Sequence, residues 1–172
     1  QALSLNPNSA SAYYQLANID FFVDCDFGKA YRHIQKALEL NPNLPTALQF
    51  TCFLHLLKDD LQQAEVYLNR ALEVNPLSPE TQFYKGYFLY RKNDFDAATH
   101  QFDALIANNP YNLPALVTKA YVLIRTGQAS ELQKVLGLLP PEIVIEDEKI
   151  GLEFQAALLN QETEKSKELL AE

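Results

Sequence analysis

Cysteine and glycine are scarce in this chain, and long apolar runs are absent. Its 172 residues include two cysteines, Cys25 and Cys52, and five glycines. Two cysteines without a recognisable pairing pattern do not make a disulfide framework, so we expect a reducing, cytoplasmic location. The glycines form no phosphate-binding loop, and without a run of about 18 apolar residues the sequence predicts no membrane-spanning helix.

Basic residues are also in deficit. The 14 Lys and Arg are outnumbered by 22 Asp and Glu, which gives a net charge of −8. Residues 142–172 contain nine acids and three lysines, so −6 of that charge lies there. With no basic patch to release counterions, we do not expect nucleic-acid binding. The acidic end predicts a solvated capping surface, with attraction of a basic partner as the alternative.

Residues that would carry chemistry are few and dispersed. The three histidines, His33, His55 and His100, lie far apart and have no Cys or Asp cluster at metal-ligand spacing. No serine or cysteine has a histidine in a sequence context typical of nucleophilic catalysis. We therefore assign no catalytic residue, no metal and no cofactor, and we expect that the protein is not an enzyme.

What the sequence does contain is a repeat. Four Asn-Pro pairs, ending at Pro7, Pro42, Pro76 and Pro110, follow one another at steps of 35, 34 and 34 residues. A fixed period in this range indicates an array of similar supersecondary units. Other columns keep one kind of side chain in the same register, namely the small residues Ala17, Cys52, Gly86 and Ala120 and the alanines Ala30, Ala64 and Ala98.

Each repeat has the pattern of two helices. Apolar residues in 61–74 recur at three- and four-residue steps, which is typical of one face of an amphipathic helix. The Asn-Pro pair ends this helix, because proline offers no N–H and restricts the residue before it. Another helical stretch, near 45–57, precedes it across the short polar turn Asp59-Asp60. Short connections of this kind join antiparallel helices, and small residues allow their close approach.

On these columns the chain resembles the tetratricopeptide repeat (TPR) family. The second repeat carries the motif in Cys52, Leu61, Ala64, Leu68, Ala71 and Pro76. The resemblance covers about 1–139 and implies an all-α fold, a right-handed superhelical solenoid of antiparallel helix hairpins. TPR repeats often have a large apolar residue before the small one, where this chain has Thr51, Lys85 and Lys119. We interpret the lysines as covering apolar surface while their ammonium groups reach water.

The repeat boundaries predict a single TPR domain over 1–172. Its parts, in chain order, are the end of a truncated repeat at 1–9, repeats at 10–44, 45–78, 79–112 and 113–141, and an acidic capping hairpin at 142–172. Because the chain opens like the last turns of a repeat and has no initiator methionine, we expect it to be a piece of a longer protein. The apolar faces of 146–159 and 162–171 predict the two helices of the last hairpin.

The resemblance also implies a binding surface. In TPR arrays the first helix of each repeat lines the concave face, where partners usually bind. Carried over by column, the predicted groove residues are Tyr14, Asn18, Gln49, Phe53, Leu56, Phe83, Tyr87, Tyr90, Arg91, Tyr121 and Arg125, and the same columns include Phe21, Leu57, Val117 and Ile124. On the same helix as Phe83, Tyr87 and Tyr90, we expect Tyr84, Phe88 and Leu89 to pack in the core instead of lining the groove. Aromatic residues at helical spacing are equally typical of a core, and self-association would also cover such a stripe.

Two functions are consistent with this surface. The first is a non-catalytic interaction scaffold that binds a protein or peptide segment in an aromatic-lined concave groove, with neither nucleic acid nor membrane as a partner. The second is a regulatory or sensory arm, because 21–27, 37–43 and 75–79 resemble the TPR arrays of bacterial signalling proteins. Those arrays follow a helix-turn-helix DNA-binding domain or a nucleotide cyclase domain. Homo-oligomerisation is left open by the sequence.

Overall fold

The computed structural model describes residues 8–139 and 146–169, the last range without the side chains of 146–148. These residues form helices and turns and contain no strand. The chain divides into an N-terminal unit, Gln1–Arg91, and a C-terminal unit, Lys92–Glu172. The N-terminal unit contains α1 (Ala10–Phe22), α2 (Phe27–Leu40), α3 (Pro45–Leu57), α4 (Leu61–Val74) and α5 (Pro79–Arg91). The C-terminal unit contains α6 (Phe95–Asn108), α7 (Leu113–Arg125), α8 (Ala129–Leu136), α9 (Glu146–Leu159) and α10 (Thr163–Leu169). The predicted all-α architecture of helix hairpins is confirmed.

The turns inside the repeats share one backbone conformation. A residue with positive φ stands in each of them, at Cys25 (52°), Asp59 (60°), Asn93 (61°) and Gly127 (69°). In three of the turns the next residue is Asp26, Asp60 or Asp94, which caps the helix that follows. Each of these carboxylates accepts a hydrogen bond from the backbone N–H three residues on, at 2.9, 3.2 and 3.3 Å respectively. The caps satisfy donors that the first helical turn leaves open, and so they fix where the second helix of the repeat begins.

The Asn-Pro pairs end helices as predicted. Asn41, Asn75 and Asn109 are the C-caps of α2, α4 and α6, and their φ values of −142°, −148° and −142° leave the helical region. Their backbone N–H groups still donate to the carbonyl four residues back, at 2.9 or 3.0 Å. The following proline cannot continue the helix, because it has no N–H to donate.

Small and aliphatic side chains form the interior of the N-terminal unit. Ala17 and Cys52, from the small-residue column, have no exposed surface, and neither do Ala30 and Ala64 from the alanine column. Half-buried aromatic rings, among them Tyr13, Tyr14, Phe21, Tyr31 and Phe53, pack against this core. The small columns therefore let the helices approach, and the rings fill the spaces around them.

The interior of the C-terminal unit is mainly aliphatic, with Phe102 of α6 also fully buried. Leu116, Leu123, Leu132 and Val135 of α7 and α8 form one cluster with Leu152 of α9. Helices α9 and α10 contact each other, and α9 also contacts α7 and α8. These two helices lie at the places where the pattern predicted the last hairpin. The predictions for 1–7, for the end of the fourth repeat at 140–141 and for 170–171 fall outside the described residues.

One sequence-based expectation is wrong. Lys119 was expected to extend its ammonium group to water, but the residue is buried. Its Nζ lies 2.6 Å from Oδ1 of Asp103 on α6 and 3.7 Å from Oε1 of Glu131 on α8. A charge taken out of water needs a partner of opposite sign, and the neighbouring helices supply it. Thr51 is the equivalent residue of α3. Its hydroxyl is satisfied within the same helix, because Oγ1 donates a hydrogen bond to the carbonyl of Ala47 at 2.8 Å.

Candidate functional site

Six aromatic rings form a continuous series in the N-terminal unit. Consecutive ring centroids lie 5.5 Å apart for Phe21–Phe53, 6.2 Å for Phe53–Tyr84, 5.5 Å for Tyr84–Phe83, 6.2 Å for Phe83–Tyr87 and 6.2 Å for Tyr87–Tyr90. All six side chains are half-buried. We call these residues, Phe21, Phe53, Phe83, Tyr84, Tyr87 and Tyr90, the aromatic ladder. It crosses α1, α3 and α5, and each of its residues keeps part of its surface open to solvent.

Three rings of the ladder stack along α5. Phe83, Tyr87 and Tyr90 follow one another at helical spacing, with interplanar angles of 5° and 25° between neighbours. Side chains four and three residues apart lie on one face of a helix, which explains the stack. The result is a strip of ring faces and edges with phenol hydroxyls among them, a combination that suits contact with a partner.

Two predicted groove residues lie in the interior, which corrects the sequence-based assignment. Leu56 is 0% exposed and belongs to the core between α3, α4 and α5. Gln49 is also buried, and its Nε2 donates to Oγ1 of Thr81 at 2.9 Å. Neither side chain offers surface to a ligand, because α3 is packed against α2, α4 and α5.

The ladder also includes a residue that the sequence assigned to the core. Tyr84 joins Phe53 of α3 to Phe83 of α5, and it is half-buried. Burial raises the pKa of Tyr84 to about 12, so its hydroxyl stays protonated at neutral pH. Phe88 is buried, as expected. The only sequence signal for the double role of Tyr84 is its place next to Phe83.

Tyr14 and Asn18 lie at the α1 end of this surface. The rings of Tyr14 and Phe50 are nearly perpendicular, and their centroids lie 6.3 Å apart. Asn18 Nδ2 donates a hydrogen bond to the Tyr14 carbonyl at 2.9 Å. Both residues are half-buried. The structure thus brings together Tyr14, Asn18 and four predicted aromatic residues of α3 and α5 in one unit.

The two predicted arginines contact turns of their own units. Arg91 Nη2 donates to Oδ1 of Asp59 at 2.9 Å. In the C-terminal unit, Arg125 Nη2 lies 3.5 Å from Oδ1 of Asn93, and its guanidinium carbon lies 5.8 Å from the centroid of the Phe95 ring. Tyr121 of the same helix is exposed. Each arginine connects the end of the first helix of its repeat to the turn of the preceding repeat. Its guanidinium group therefore already has a partner within the protein.

Other kinds of site find little support in the described ranges. Across 8–139 and 146–169, no three His, Cys, Asp or Glu side chains are grouped so that they could hold a metal ion. None of the helices in these ranges is long and apolar enough to cross a bilayer. The candidate site of the N-terminal unit is therefore a surface of rings, and it offers contact area instead of reactive groups.

Solved structures with the same kind of fold are numerous. PilW, a type IV pilus biogenesis factor, has 19% sequence identity and a TM-score of 0.81, over 99% of this chain and 79% of that one. A tetratricopeptide repeat protein from Parabacteroides merdae has 18% identity and a TM-score of 0.79, over 99% and 68%. YrrB, described as a TPR protein with an unusual peptide-binding site, has 18% identity and a TM-score of 0.61, over 99% and 87%. At these identities the likeness shows the fold alone.

Comparison at the level of families agrees with helical repeats. No curated protein matches the sequence. The model of the TT21 fifth ARM repeats domain matches residues 87–172, which are 86 of the 172 residues and so half of the chain. Armadillo and TPR arrays are both built from stacked helical repeats. The chain has TPR-like helix hairpins, and it belongs to the TT21 fifth ARM repeats domain family.

Proposed function

We propose that this protein is a non-catalytic interaction module that binds a protein or peptide segment along the aromatic ladder. The observation that carries the proposal is the half-buried state of all six ladder rings, which are in contact across three helices. The contacts between neighbouring rings restrict their side-chain rotamers, and the exposed part of each ring is available to a partner. Rings held in this way lose little conformational entropy when a partner covers them.

The chemistry of the ladder indicates the chemistry of its ligand. Phenyl and phenol rings favour a segment with two or three apolar side chains on one face, either helical or extended. Burying about 400 Å² of apolar surface contributes about 10 kcal/mol before the costs of association and ordering, so the expected affinity is micromolar. Since Arg91 is already paired with Asp59, an acidic flank on the ligand would add little.

The TPR likeness of the fold is consistent with this role, and YrrB is one relative in structure that is described as having a peptide-binding site. We assign no catalytic residue. The alternative role as the regulatory arm of a bacterial transcription factor or cyclase is favoured by no feature of the described residues, so it stays a prediction from sequence. A single domain over 1–172 and a cytoplasmic location are likewise predictions.

The test is a selection of displayed random peptides against the whole chain, followed by calorimetry of the enriched peptides. We expect enrichment of aromatic and aliphatic anchors at helical or alternating spacing, with micromolar dissociation constants. Tyr87→Ala and Tyr90→Ala should each weaken binding about tenfold, because each removes one ring of the stack.

Tyr111→Ala is the matched control, since Tyr111 is 76% exposed in a loop and lies outside the ladder. This variant should bind the selected peptides with unchanged affinity. The proposal fails if the ladder variants fold normally, as judged by circular dichroism, and still bind every enriched peptide as tightly as the unaltered chain.

A further inference from the structure

An apolar pocket opens in the N-terminal unit near the end of α3. Its volume is about 310 Å³, and it is lined by Phe21, Phe27, Tyr31, Leu54, Leu57 and Lys58. We call it the turn pocket. Phe27 is 58% exposed and Leu57 is 46% exposed, so the pocket is open to solvent. Its size is at the lower end of the range of about 300–1,000 Å³ that is usual for ligand sites, and it suits one large side chain.

The sequence explains why the pocket is open at this point. Leu57 holds in the second repeat the position that Arg91 holds in the third, and Cys25 holds the position of Asp59. Arg91 and Asp59 form an ion pair at 2.9 Å between the third repeat and the turn before it. Leucine and cysteine cannot form that pair. The junction of the first two repeats therefore lacks this link, and the turn pocket lies there.

A lysine supplies the single charge among the six lining residues. Lys58 Nζ lies 4.8 Å from the centroid of the Tyr31 ring. The two acids that follow it have other partners, because Asp59 pairs with Arg91 and Asp60 contacts Nδ1 of His55 at 3.1 Å. Among the described residues, no carboxylate forms an ion pair with Lys58. The pocket thus combines apolar walls with an exposed lysine whose ammonium lies over the Tyr31 ring.

We propose that the turn pocket receives a bulky apolar side chain from a segment of a partner protein that carries a carboxylate beside that side chain. The apolar walls would cover the anchor, and the carboxylate would reach Lys58, so charge and shape select the same ligand. This proposal does not require binding along the aromatic ladder, although Phe21 belongs to both surfaces.

A second copy of this chain is the principal competing occupant. Leu77 projects into solvent from the loop before α5, and Glu80 follows it closely, so the chain itself contains an apolar residue near an acid. The net charge of −8, however, makes two copies repel each other. A partner with a local acidic motif and a lower overall negative charge does not meet that repulsion to the same extent.

The test uses three acetylated pentapeptides, titrated into the isotope-labelled whole chain and followed by NMR amide shifts. The first has a phenylalanine flanked by aspartates, the second has a phenylalanine flanked by lysines, and the third has a glycine flanked by aspartates. We expect the first peptide to shift amides of 27–31 and 54–58 and to bind at least about threefold tighter than the second. The third peptide should cause no shift at the pocket.

Variants separate the pocket from the ladder. Leu57→Arg should fill the pocket and abolish binding of the first peptide, and Lys58→Gln should remove the preference for aspartate over lysine. Val66→Arg, an equal change at an exposed site on α4, is the control and should leave binding unaltered. Tyr87→Ala should spare pentapeptide binding, so failure of the ladder proposal would not resemble failure of this one.

Several results would overturn the proposal. Equal affinity for the aspartate and lysine peptides would exclude the role of Lys58, and shifts confined to other regions would exclude the pocket. If Leu57→Arg fails to fold, the Lys58→Gln comparison decides by itself. Self-association in sedimentation that Leu57→Arg abolishes would assign the pocket to a second copy and so contradict a foreign partner.

Discussion

The two units of the chain build the same kind of hairpin from different interiors. In the N-terminal unit, aromatic rings pack around the small-residue core and continue into the half-exposed aromatic ladder. In the C-terminal unit the main core cluster is leucine, valine and alanine, and Phe102 is fully buried in the same unit. Each unit also buries a charged side chain that has a partner: Asp20 contacts His33 in the N-terminal unit, and Lys119 is paired with Asp103 in the C-terminal unit. The side chains that surround the shared hairpin geometry therefore vary widely between repeats.

This difference separates the residues that fix the hairpin from those that are available for other uses. The small residues at the helix contacts and the turns with a positive φ occur in both units. The column of Phe53 and Tyr87 keeps an aromatic residue, Tyr121, in the C-terminal unit, whereas Phe83 and Tyr90 are replaced there by Val117 and Ile124. Since the hairpin forms with either set, the rings of Phe83 and Tyr90 are not required by the fold.

The largest expected effect tests how far the aliphatic core of the C-terminal unit extends. Leu152 of α9 is buried in that core, whereas Leu158 of the same helix is exposed. Leu152→Ala should lower the free energy of unfolding by about 3 kcal/mol, because it removes buried methyl groups and leaves a cavity. Leu158→Ala should cost less than about 0.5 kcal/mol. Urea denaturation measures both, and equal effects would show that α9 is not part of this core.

A smaller effect is expected at the ion pair between buried Lys119 and the exposed carboxylate of Asp103. Among the described residues, Asp103→Ala leaves the Lys119 ammonium with the more distant Glu131 carboxylate, at 3.7 Å. The change should destabilise by about 1–2 kcal/mol. Adding Lys119→Met removes the buried charge, so the double variant should recover most of that loss. If Asp103→Ala has no effect in urea denaturation, the burial of Lys119 does not depend on this carboxylate.

The contacts that Arg91 and Arg125 make with the turn of the preceding repeat should contribute least to stability. Both units have a contact of this kind. Arg91→Ala should destabilise by at most about 0.5 kcal/mol, since the Asp59 carboxylate is well exposed. The effect should shrink in high salt. Arg125→Ala, which removes a contact with a neutral amide, should be smaller and insensitive to salt. Thermal unfolding at two salt concentrations gives the comparison, and a larger loss for Arg125→Ala would contradict it.

Alkylation of the exposed cysteine should not change the free energy of unfolding. The protection of the buried cysteine reports how closely the N-terminal unit is packed. Cys25 is exposed and Cys52 is buried. Burial raises the pKa of the Cys52 thiol to about 12, so very little of the reactive thiolate forms there at pH 8. Iodoacetamide at pH 8 should therefore modify Cys25 alone in the folded chain and both cysteines in urea. Mass spectrometry that finds rapid labelling of Cys52 without denaturant would show that the core opens readily.

The sequence was most informative where the repeat itself constrains the residues. The Asn-Pro steps and the small-residue column located the hairpins, because only small side chains fit where helices cross closely. It was less informative about surfaces. Gln49 and Leu56 share columns with half-buried residues, yet they are buried because α3 is packed by helices on several sides. A helical period of 3.6 residues does not say which neighbours a face will meet.

By itself, the sequence determined the all-α class, the length of the repeat, the turns and the ends of the helices. These features depend on local chemistry: proline without an N–H, aspartate at the start of a helix, and apolar residues on one helical face. Only the tertiary structure decided which rings join into the ladder, that Lys119 finds Asp103, and that a pocket opens beside Leu57. The physical reason is that burial and ion pairing depend on residues one or more helices away. The local sequence pattern does not specify those neighbours.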